Sequence, residues 1–315
     1  MINTEPLVSI IVLCYNQENT ISKCLESIIS QDLNVKFEVL IGDDASTDGT
    51  SEICEKFALK YNNIIYVKRK KNIGMINNYI DIIKRAKGIF VAQCAGDDFW
   101  IDNYKLQKQI DFLNCNHTYG MVHTNYKVLS KNKLKKSNIF VPTEYIFDNL
   151  LNSNFICAPT IMIKKDILTE AINENVINKN TVIEDYTLWL FTSQFYKIGY
   201  LDDITSVYRK NINSISNFED VKDENNFINS MINIQISFAK KNKKIFILKE
   251  RIKNHYNFMI YESINKRTTF NINQGFSNLI KIRSLNFHYI KYYLYHFFLI
   301  KPVYLIFKKK FQEPK

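Results

Sequence analysis

Residues 8–44 have the sequence VSIIVLCYNQENTISKCLESIISQDLNVKFEVLIGDD, in which two short apolar runs flank an amphipathic segment. The first run, Val8–Cys14, and the second, Phe37–Ile41, have the length and composition of buried strands. Between them, the apolar residues from Ile21 to Ile29 recur at the spacing of one helix face. The order strand, helix, strand is typical of an α/β domain.

The same alternation continues to about residue 129. Further apolar strands are predicted at 64–67 and 89–92, and helical segments follow Ser46 and Gly74. Strands that alternate with helices at this pitch predict a mainly parallel sheet with helices on both faces. In such sheets ligands bind beyond the carboxyl ends of the strands.

Each of the four predicted strands ends in polar residues. These strand ends are Tyr15-Asn16, Asp43-Asp44, Lys71-Asn72 and Asp97-Asp98. Turns favour Asp and Asn for conformational reasons, so one such end carries little information. Four of them on one edge of a sheet predict a binding site.

Two of these ends are acidic pairs. Asp97 and Asp98 follow a glycine and a buried strand, and carboxylate oxygens there suit Mg²⁺ or Mn²⁺. The alternative is that one of them caps a helix. Asp43 and Asp44 are acceptors that can bind the N–H of a base or a ribose hydroxyl.

A third acidic pair, Glu184 and Asp185, lies at the start of a predicted helix over 183–196. A carboxylate there can take the proton of an attacking hydroxyl. The alternative is that the pair only complements the positive end of the helix dipole. Strands are also predicted at 155–163 and 199–208, and from about residue 217 the pattern is helical.

Composition limits the function classes. The chain has 315 residues, 46% hydrophobic and 23% charged, which excludes a disordered or fibrous protein. Its net charge is +11, and most of this positive charge lies in residues 281–315, which contain eight basic residues and one acidic residue. A uniformly basic nucleic-acid-binding protein would distribute its positive charge along the chain, so this class is not favoured. The six cysteines show no CxxC spacing, which predicts reduced thiols rather than a metal site. The chain has no apolar run of the roughly 18 residues that a membrane span needs. Together these observations predict a cytoplasmic protein.

Five motifs in order resemble the family 2 glycosyltransferases of GT-A fold. They are Val8 to Asn16, Asp43 to Asp48, Asn72 to Gly74, Gly96 to Trp100, and Tyr208-Arg209. The stretch from Gly96 to Leu113 (GDDFWIDNYKLQKQIDFL) is especially close to the family pattern. The resemblance covers residues 6–216, about two thirds of the chain.

The resemblance implies an inverting transferase that uses a nucleotide-activated sugar, with a UDP-sugar as the first expectation, and builds a surface glycan on a glycan or lipid-linked acceptor. It implies a nucleotide-sugar half at about 1–129, an acceptor half at about 130–216 and a helical region at 217–315. The implied nucleotide-sugar ligands are Tyr15, Asn16, Asp43, Asp44, Asn72, Asn78, Asp97 and Arg209. Asp185, with Glu184 second, matches the catalytic base.

The implied cofactor is a divalent cation, Mn²⁺ or Mg²⁺, held by Asp97, Asp98 and Asn211. Two departures from the family pattern affect this cation. Ala95 stands where the family commonly has an acid, and Asn211 stands where it has a histidine, which is the stronger ligand. A catalytically silent nucleotide-sugar-binding or scaffold subunit therefore stays open. So does a sugar-phosphate nucleotidyltransferase, although Tyr15 to Thr20 lacks that class's glycine-rich loop.

The tail at 285–315 is rich in aromatic residues and ends near Lys308-Lys309-Lys310. Basic residues beside aromatic ones suit a helix in an anionic membrane interface, which would place the protein on the inner face of the cell membrane. The alternative is a helical subdomain whose aromatic residues pack on the catalytic domain or in a homodimer. No nucleic-acid motif accompanies the tail.

Overall fold

The computed structural model describes residues 5–210 and 221–265, and the structural statements below concern these residues. The chain divides into two compact units, Met1–Met231 and Ile232–Lys315. The predicted domain boundary at residue 216, the tail at 285–315 and Asn211 lie outside the described residues and stay predictions.

Strands and helices alternate up to Arg209, and two long helices follow in the described residues. The strands are β1 (Val8–Cys14), β2 (Phe37–Asp43), β3 (Ile64–Lys68), β4 (Phe90–Gln93), β5 (Phe99–Trp100), β6 (Tyr119–Ser130), β7 (Lys133–Lys136), β8 (Met162–Lys164) and β9 (Lys197–Arg209). The helices are α1 (Ile21–Ile29), α2 (Thr50–Lys60), α3 (Met75–Arg85), α4 (Lys105–Cys115), α5 (Ile146–Asn152), α6 (Lys165–Asn173), α7 (Glu184–Phe195), α8 (Val221–Lys241) and α9 (Ile245–Asn265).

The nine strands form one sheet in the order β3-β2-β1-β4-β8-β6-β9-β5, with β7 paired to β6. The first four strands run parallel, with Val8 opposite both Phe37 and Phe90, as the sequence predicts. Beyond β4 the sheet is mixed, because β8 is antiparallel to both β4 and β6 while β6 and β9 are parallel. The α/β class and the helices on the sheet are confirmed.

The core lies between the sheet and its helices. In β1, Ile10 and Val12 are fully buried, and α1 covers them with Ile21, Leu25 and Ile28, which are also fully buried. Burial of each such side chain contributes about 1.5–3 kcal/mol. The helix periodicity predicted from sequence therefore corresponds to the face that packs on the sheet.

The strand predicted at 155–163 is wrong for most of its length. Residues Ala158–Thr160 form a 3₁₀ turn, and the strand begins only at Met162. Pro159 has no N–H to donate to a neighbouring strand. Its carbonyl instead accepts hydrogen bonds from Trp100 Nε1 at 2.9 Å and Ser206 Oγ at 3.0 Å. The apolar run is buried in a turn rather than in a sheet.

The predicted helical character after residue 217 is confirmed by α8 and α9 within the described residues. None of the helices there combines the length and the apolar character needed to cross a membrane.

Candidate active site

A cleft of about 640 Å³ opens at the carboxyl ends of β1, β2 and β4. Of the residues singled out from sequence, it is lined by Tyr15, Asp44, Asn72, Asn78, Asp97, Asp98, Glu184 and Asp185. Asn16, Asp43 and Arg209 are not among the residues that line it. The strand ends and the start of α7 are therefore brought to one cleft, as the parallel sheet predicts.

Asp43 is fully buried behind the cleft and its carboxylate is occupied by the protein itself. Ser46 donates to Oδ1 from its backbone N–H at 2.9 Å and from its hydroxyl at 2.6 Å. Ser51 and Tyr66 donate their hydroxyls to Oδ2 at 2.5 and 2.7 Å. Burial would raise the pKa of Asp43, but these hydrogen bonds outweigh it and lower the pKa. Asp43 thus holds the turn after β2 in shape.

Asp44 lines the cleft and fastens the loop between β3 and α3. Its Oδ1 accepts the backbone N–H of Ile73 at 2.8 Å, and its Oδ2 accepts that of Gly74 at 2.9 Å. Asn72 Oδ1 accepts the same Gly74 N–H at 3.0 Å, and Gly74 has φ of 85°, a left-handed conformation that suits glycine. Asp44 thereby places Asn72 at the cleft wall.

Asn78 is a buried link between α3 and the strand ends. Its Nδ2 donates to the Gly42 carbonyl at 2.8 Å, and its Oδ1 accepts from Arg69 at 3.0 and 3.1 Å. Arg69 also forms a 2.6 Å ion pair with Asp81. The side-chain amide of Asn78 therefore braces the cleft wall.

Asn16 joins the turn after β1 to the turn after β2. It has φ of 51°, which asparagine tolerates better than most residues. Its backbone N–H donates to Ser46 Oγ at 3.0 Å, and its Oδ1 accepts the Thr47 N–H at 2.8 Å. The turns after β1 and β2 are joined by these bonds, while neighbouring Tyr15 lies 47% exposed at the cleft.

Asp97 and Asp98 lie side by side at the cleft. Asp98 is 3% exposed, and its Oδ1 accepts the backbone N–H of Arg209 at 2.7 Å. Burial and then the charge of Asp97 raise the pKa of Asp98 well above its usual range. Arg209 donates its Nε to the Asp97 carbonyl at 2.8 Å, so β9 is tied to the acidic pair.

The donor set fits a hard divalent cation, because positive charge stabilises two adjacent carboxylates and the charge of Asp97 raises the proton affinity of Asp98. No group of three or more His, Cys, Asp or Glu side chains gathers as a metal site in the part of the chain that the structure describes. Ala95 lines the cleft where the family pattern has an acid, and it supplies no ligand.

Glu184 and Asp185 form the first turn of α7 and line the same cleft. Burial raises the pKa of both carboxyls, and the charge of Asp185 raises that of Glu184 further. Burial also raises the pKa of Tyr79, with a contribution from both acids, so its hydroxyl stays protonated beside them. A carboxyl pair in this environment holds a proton near neutral pH and can exchange it.

Gln17 and Cys157 are among the cleft residues that the sequence did not single out. Gln17 lines the cleft, and its buried Oε1 has no hydrogen-bond partner within the described residues. The signal was available, since Gln17 belongs to the polar turn after β1. Cys157 lines the cleft too; burial raises its pKa, with contributions from the charges of Asp98 and Asp185. No sequence pattern marked it.

Comparisons with known proteins agree with this geometry. Residues 9–172 match the family described as glycosyl transferase family 2. An uncharacterized protein of Mycobacterium tuberculosis is 30% identical over 212 residues, which are 66% of this chain and about 60% of that protein's length. The Escherichia coli protein named UDP-Glc:alpha-D-GlcNAc-diphosphoundecaprenol beta-1,3-glucosyltransferase WfaP is 29% identical over 229 residues, 71% of this chain and 86% of the relative.

Among solved structures, S. aureus TarS 1–349 in complex with UDP-GlcNAc is similar with a TM-score of 0.61 and 23% identity. The similarity covers 86% of this chain and 78% of TarS 1–349. It shows a shared fold, that of the GT-A glycosyltransferases. With the family match extending over more than half of its length, the chain belongs to glycosyltransferase family 2.

Proposed function

We propose that this protein is an inverting glycosyltransferase that moves a sugar from a UDP-sugar to a hydroxyl of a glycan or lipid-linked acceptor, in the synthesis of a surface polysaccharide. One observation carries the proposal. A single cleft gathers polar strand ends, the Asp97–Asp98 pair and the half-buried Glu184–Asp185 pair. The E. coli relative, which is named for transfer from UDP-Glc to a GlcNAc-diphosphoundecaprenol acceptor, supports the donor and acceptor classes.

The nucleoside would bind on the side of the cleft formed by β1 and β2. Tyr15 offers an exposed aromatic face on which a base can stack. Asp44 and Asn72 line the wall beside it, and the contacts of Asn16, Asp43 and Asn78 keep that wall in place. These last three residues would act through the residues that they position.

The diphosphate would lie at Asp97 and Asp98, which are the residues to hold Mn²⁺ or Mg²⁺. When bound, the cation would neutralise charge on the departing nucleoside diphosphate. Arg209, tied to both acids, adds a positive charge on the same strand end. Asn211 as a further ligand stays a prediction.

The acceptor would react at Glu184 and Asp185. In an inverting displacement the acceptor oxygen forms a bond to the anomeric carbon as the bond to the diphosphate breaks on the opposite face. The hydroxyl proton passes to the Asp185 carboxylate. Glu184, whose pKa is raised further, stays protonated and avoids a second charge beside the base. With a lipid-linked acceptor, the protein would act at the cytoplasmic face of the membrane.

The testing experiment is calorimetric titration of UDP, GDP and CDP into the full chain with Mn²⁺, repeated with EDTA. We expect UDP to bind in a metal-dependent manner, and Asp97→Asn to weaken it. Asp111→Asn, an exposed acid on α4, is the matched control. Binding of GDP or CDP alone would refute the donor class. Binding of none would favour a silent scaffold subunit.

A further inference from the structure

The hairpin formed by β6 and β7 carries a dense positive charge next to the cleft. Residues 127–143 include five lysines and no acidic residue. The tip is a two-residue turn in which Lys131 and Asn132 both have positive φ, of 47° and 60°. Such turns match the twist of a two-stranded ribbon and fix its register. The hairpin is therefore a defined structure that presents Lys131 at its tip.

The hairpin lysines have little internal compensation. Lys131, Lys133 and Lys135 are exposed, and no ion pair involves them within the described part of the chain. Lys127 stands opposite Lys136 in the register, and like charges directly opposite destabilise a ribbon. The charge of Asp202 compensates part of this repulsion at Lys136. Such a charge pattern becomes favourable when the hairpin meets an anionic partner.

Apolar side chains are exposed among these charges. Leu134 is 49% exposed on β7, Ile139 is 45% exposed, and Phe140 is 82% exposed. Lysines at a sheet edge serve to prevent pairing with another chain, but exposed apolar residues work against that purpose. We call Lys131, Lys133, Leu134, Lys135, Ile139 and Phe140 the hairpin surface.

We propose that the hairpin surface docks on an anionic lipid bilayer. Lysines beside exposed aliphatic and aromatic side chains are the composition of segments that bind charged membrane interfaces. A soluble polyanion would be attracted by the lysines but would gain nothing from a side chain as exposed as Phe140.

Docking of this surface would orient the cleft. Ile139 lines the cleft directly, and exposed Val182 lines it next to Glu184. Two exposed apolar side chains thus lie on the cleft lining, one from the hairpin surface and one next to the acidic pair. A bilayer in contact with the hairpin surface would therefore lie beside the cleft.

The test is partitioning of the full chain on vesicles of phosphatidylcholine, with and without phosphatidylglycerol. The variant carries Lys131→Ser, Lys133→Ser and Lys135→Ser. Its matched control carries Lys36→Ser, Lys84→Ser and Lys87→Ser, which remove the same charge near the amino ends of β2 and β4. These three lysines are exposed and form no ion pair within the described residues. All proteins keep residues 211–315, so any contribution of the tail is common to them.

A lysine near an anionic surface changes affinity by about fivefold, so the hairpin variant should bind anionic vesicles roughly a hundredfold more weakly than wild type. The control should bind within a few fold of wild type. Phe140→Ser should weaken vesicle binding and leave its salt dependence unchanged. Each variant should retain the unfolding midpoint of wild type in urea.

Three results would overturn the proposal: equal binding by the hairpin variant and its control, wild-type binding that ignores phosphatidylglycerol, or binding of soluble polyphosphate without binding to vesicles. The measurement needs neither donor nor acceptor. A failure here therefore leaves the proposed transferase activity unaffected, and the absence of UDP binding leaves docking unaffected.

Discussion

Substitution of Asp44 by asparagine tests whether this residue contacts the nucleotide or holds the loop that does. Asp44 is 4% exposed, and each of its carboxylate oxygens accepts one backbone N–H, from Ile73 and from Gly74. Asparagine has almost the same shape but only one acceptor oxygen, and its amide nitrogen would face the second N–H. One of the two bonds must be lost.

The expected magnitude follows from the two bonds. A hydrogen bond to a charged acceptor contributes about 1.5–3 kcal/mol, so the pair contributes about 3–6 kcal/mol. Asparagine recovers one neutral bond of about 0.5–1.5 kcal/mol. The observed conformation of the loop between β3 and α3 should therefore lose about 3 kcal/mol of stability. This loss corresponds to a roughly hundredfold larger population in which the Ile73 and Gly74 amides are not hydrogen-bonded to residue 44.

The assay is amide hydrogen exchange at Ile73 and Gly74 in the absence of nucleotide. Both amides should exchange roughly a hundredfold faster in Asp44→Asn than in wild type. Asp48→Asn is the matched control, because Asp48 also accepts two backbone N–H groups, from Thr50 at 3.0 Å and Glu18 at 3.1 Å. It should leave exchange at Ile73 and Gly74 unchanged.

Unchanged exchange at Ile73 and Gly74 in Asp44→Asn, together with lost UDP binding, would refute the positioning role. The carboxylate would then act by direct contact with the ligand. Faster exchange with a proportionate loss of UDP affinity would support the role assigned here.

The remaining predictions concern the base, a buried histidine and a close backbone approach. Asp185→Asn should lower transfer about 10²–10⁴-fold at unchanged UDP affinity, and equal loss of both would contradict the assignment. Since burial raises the pKa of Asp185 to about 6, wild-type transfer should fall below that pH as the base is protonated. Burial lowers the pKa of His123 from 6.5 to about 4, so the unfolded chain takes up a proton at higher pH than the folded protein. Wild type should therefore lose about 3 kcal/mol of unfolding free energy as pH falls from 6.5 to 4, and His123→Phe should lack that component in urea titrations. In Gly88→Ala the new Cβ would overlap Ser9 N and lie 2.7 Å from Val8 C, so unfolding free energy should fall by about 1–3 kcal/mol; an unchanged value would mean that β1 shifts without cost.

Local patterns predicted the first half of the fold well. The apolar run at Val8–Cys14 and the helical spacing from Ile21 to Ile29 coincide with β1 and α1. A parallel arrangement then follows from short loops and helical crossovers. The sequence therefore brought the strand ends to one edge, which is how most candidate residues were found.

Which candidate residues face the cleft and which hold neighbouring loops in place could not be predicted in the same way. The Asp43 carboxylate accepts a hydrogen bond from Tyr66, and the Asn78 amide donates to Gly42 and accepts from Arg69. Tyr66 and Gly42 are each more than twenty residues away in sequence from the residue they bond. Such contacts have no local signature, since an Asp or Asn at a strand end has the same sequence context whether it touches a ligand or a neighbouring loop. Only the hydrogen-bond partners seen in the structure distinguish a residue that faces the ligand from one that holds a loop.

The segment at 155–161 was predicted to be a strand, and it is part of the cleft lining because it is not one. As a continuation of β8 it would have bonded its backbone to the sheet, yet its residues line the cleft from Phe155 to Pro159. The charges of Asp98 and Asp185 both raise the pKa of Cys157, so this turn lies near both acidic groups. Burial raises the pKa of both Asp98 and Asp185, and this apolar turn is part of the lining of the cleft in which they lie. Departure from the strand pattern thus places apolar side chains in the cleft that holds the proposed base.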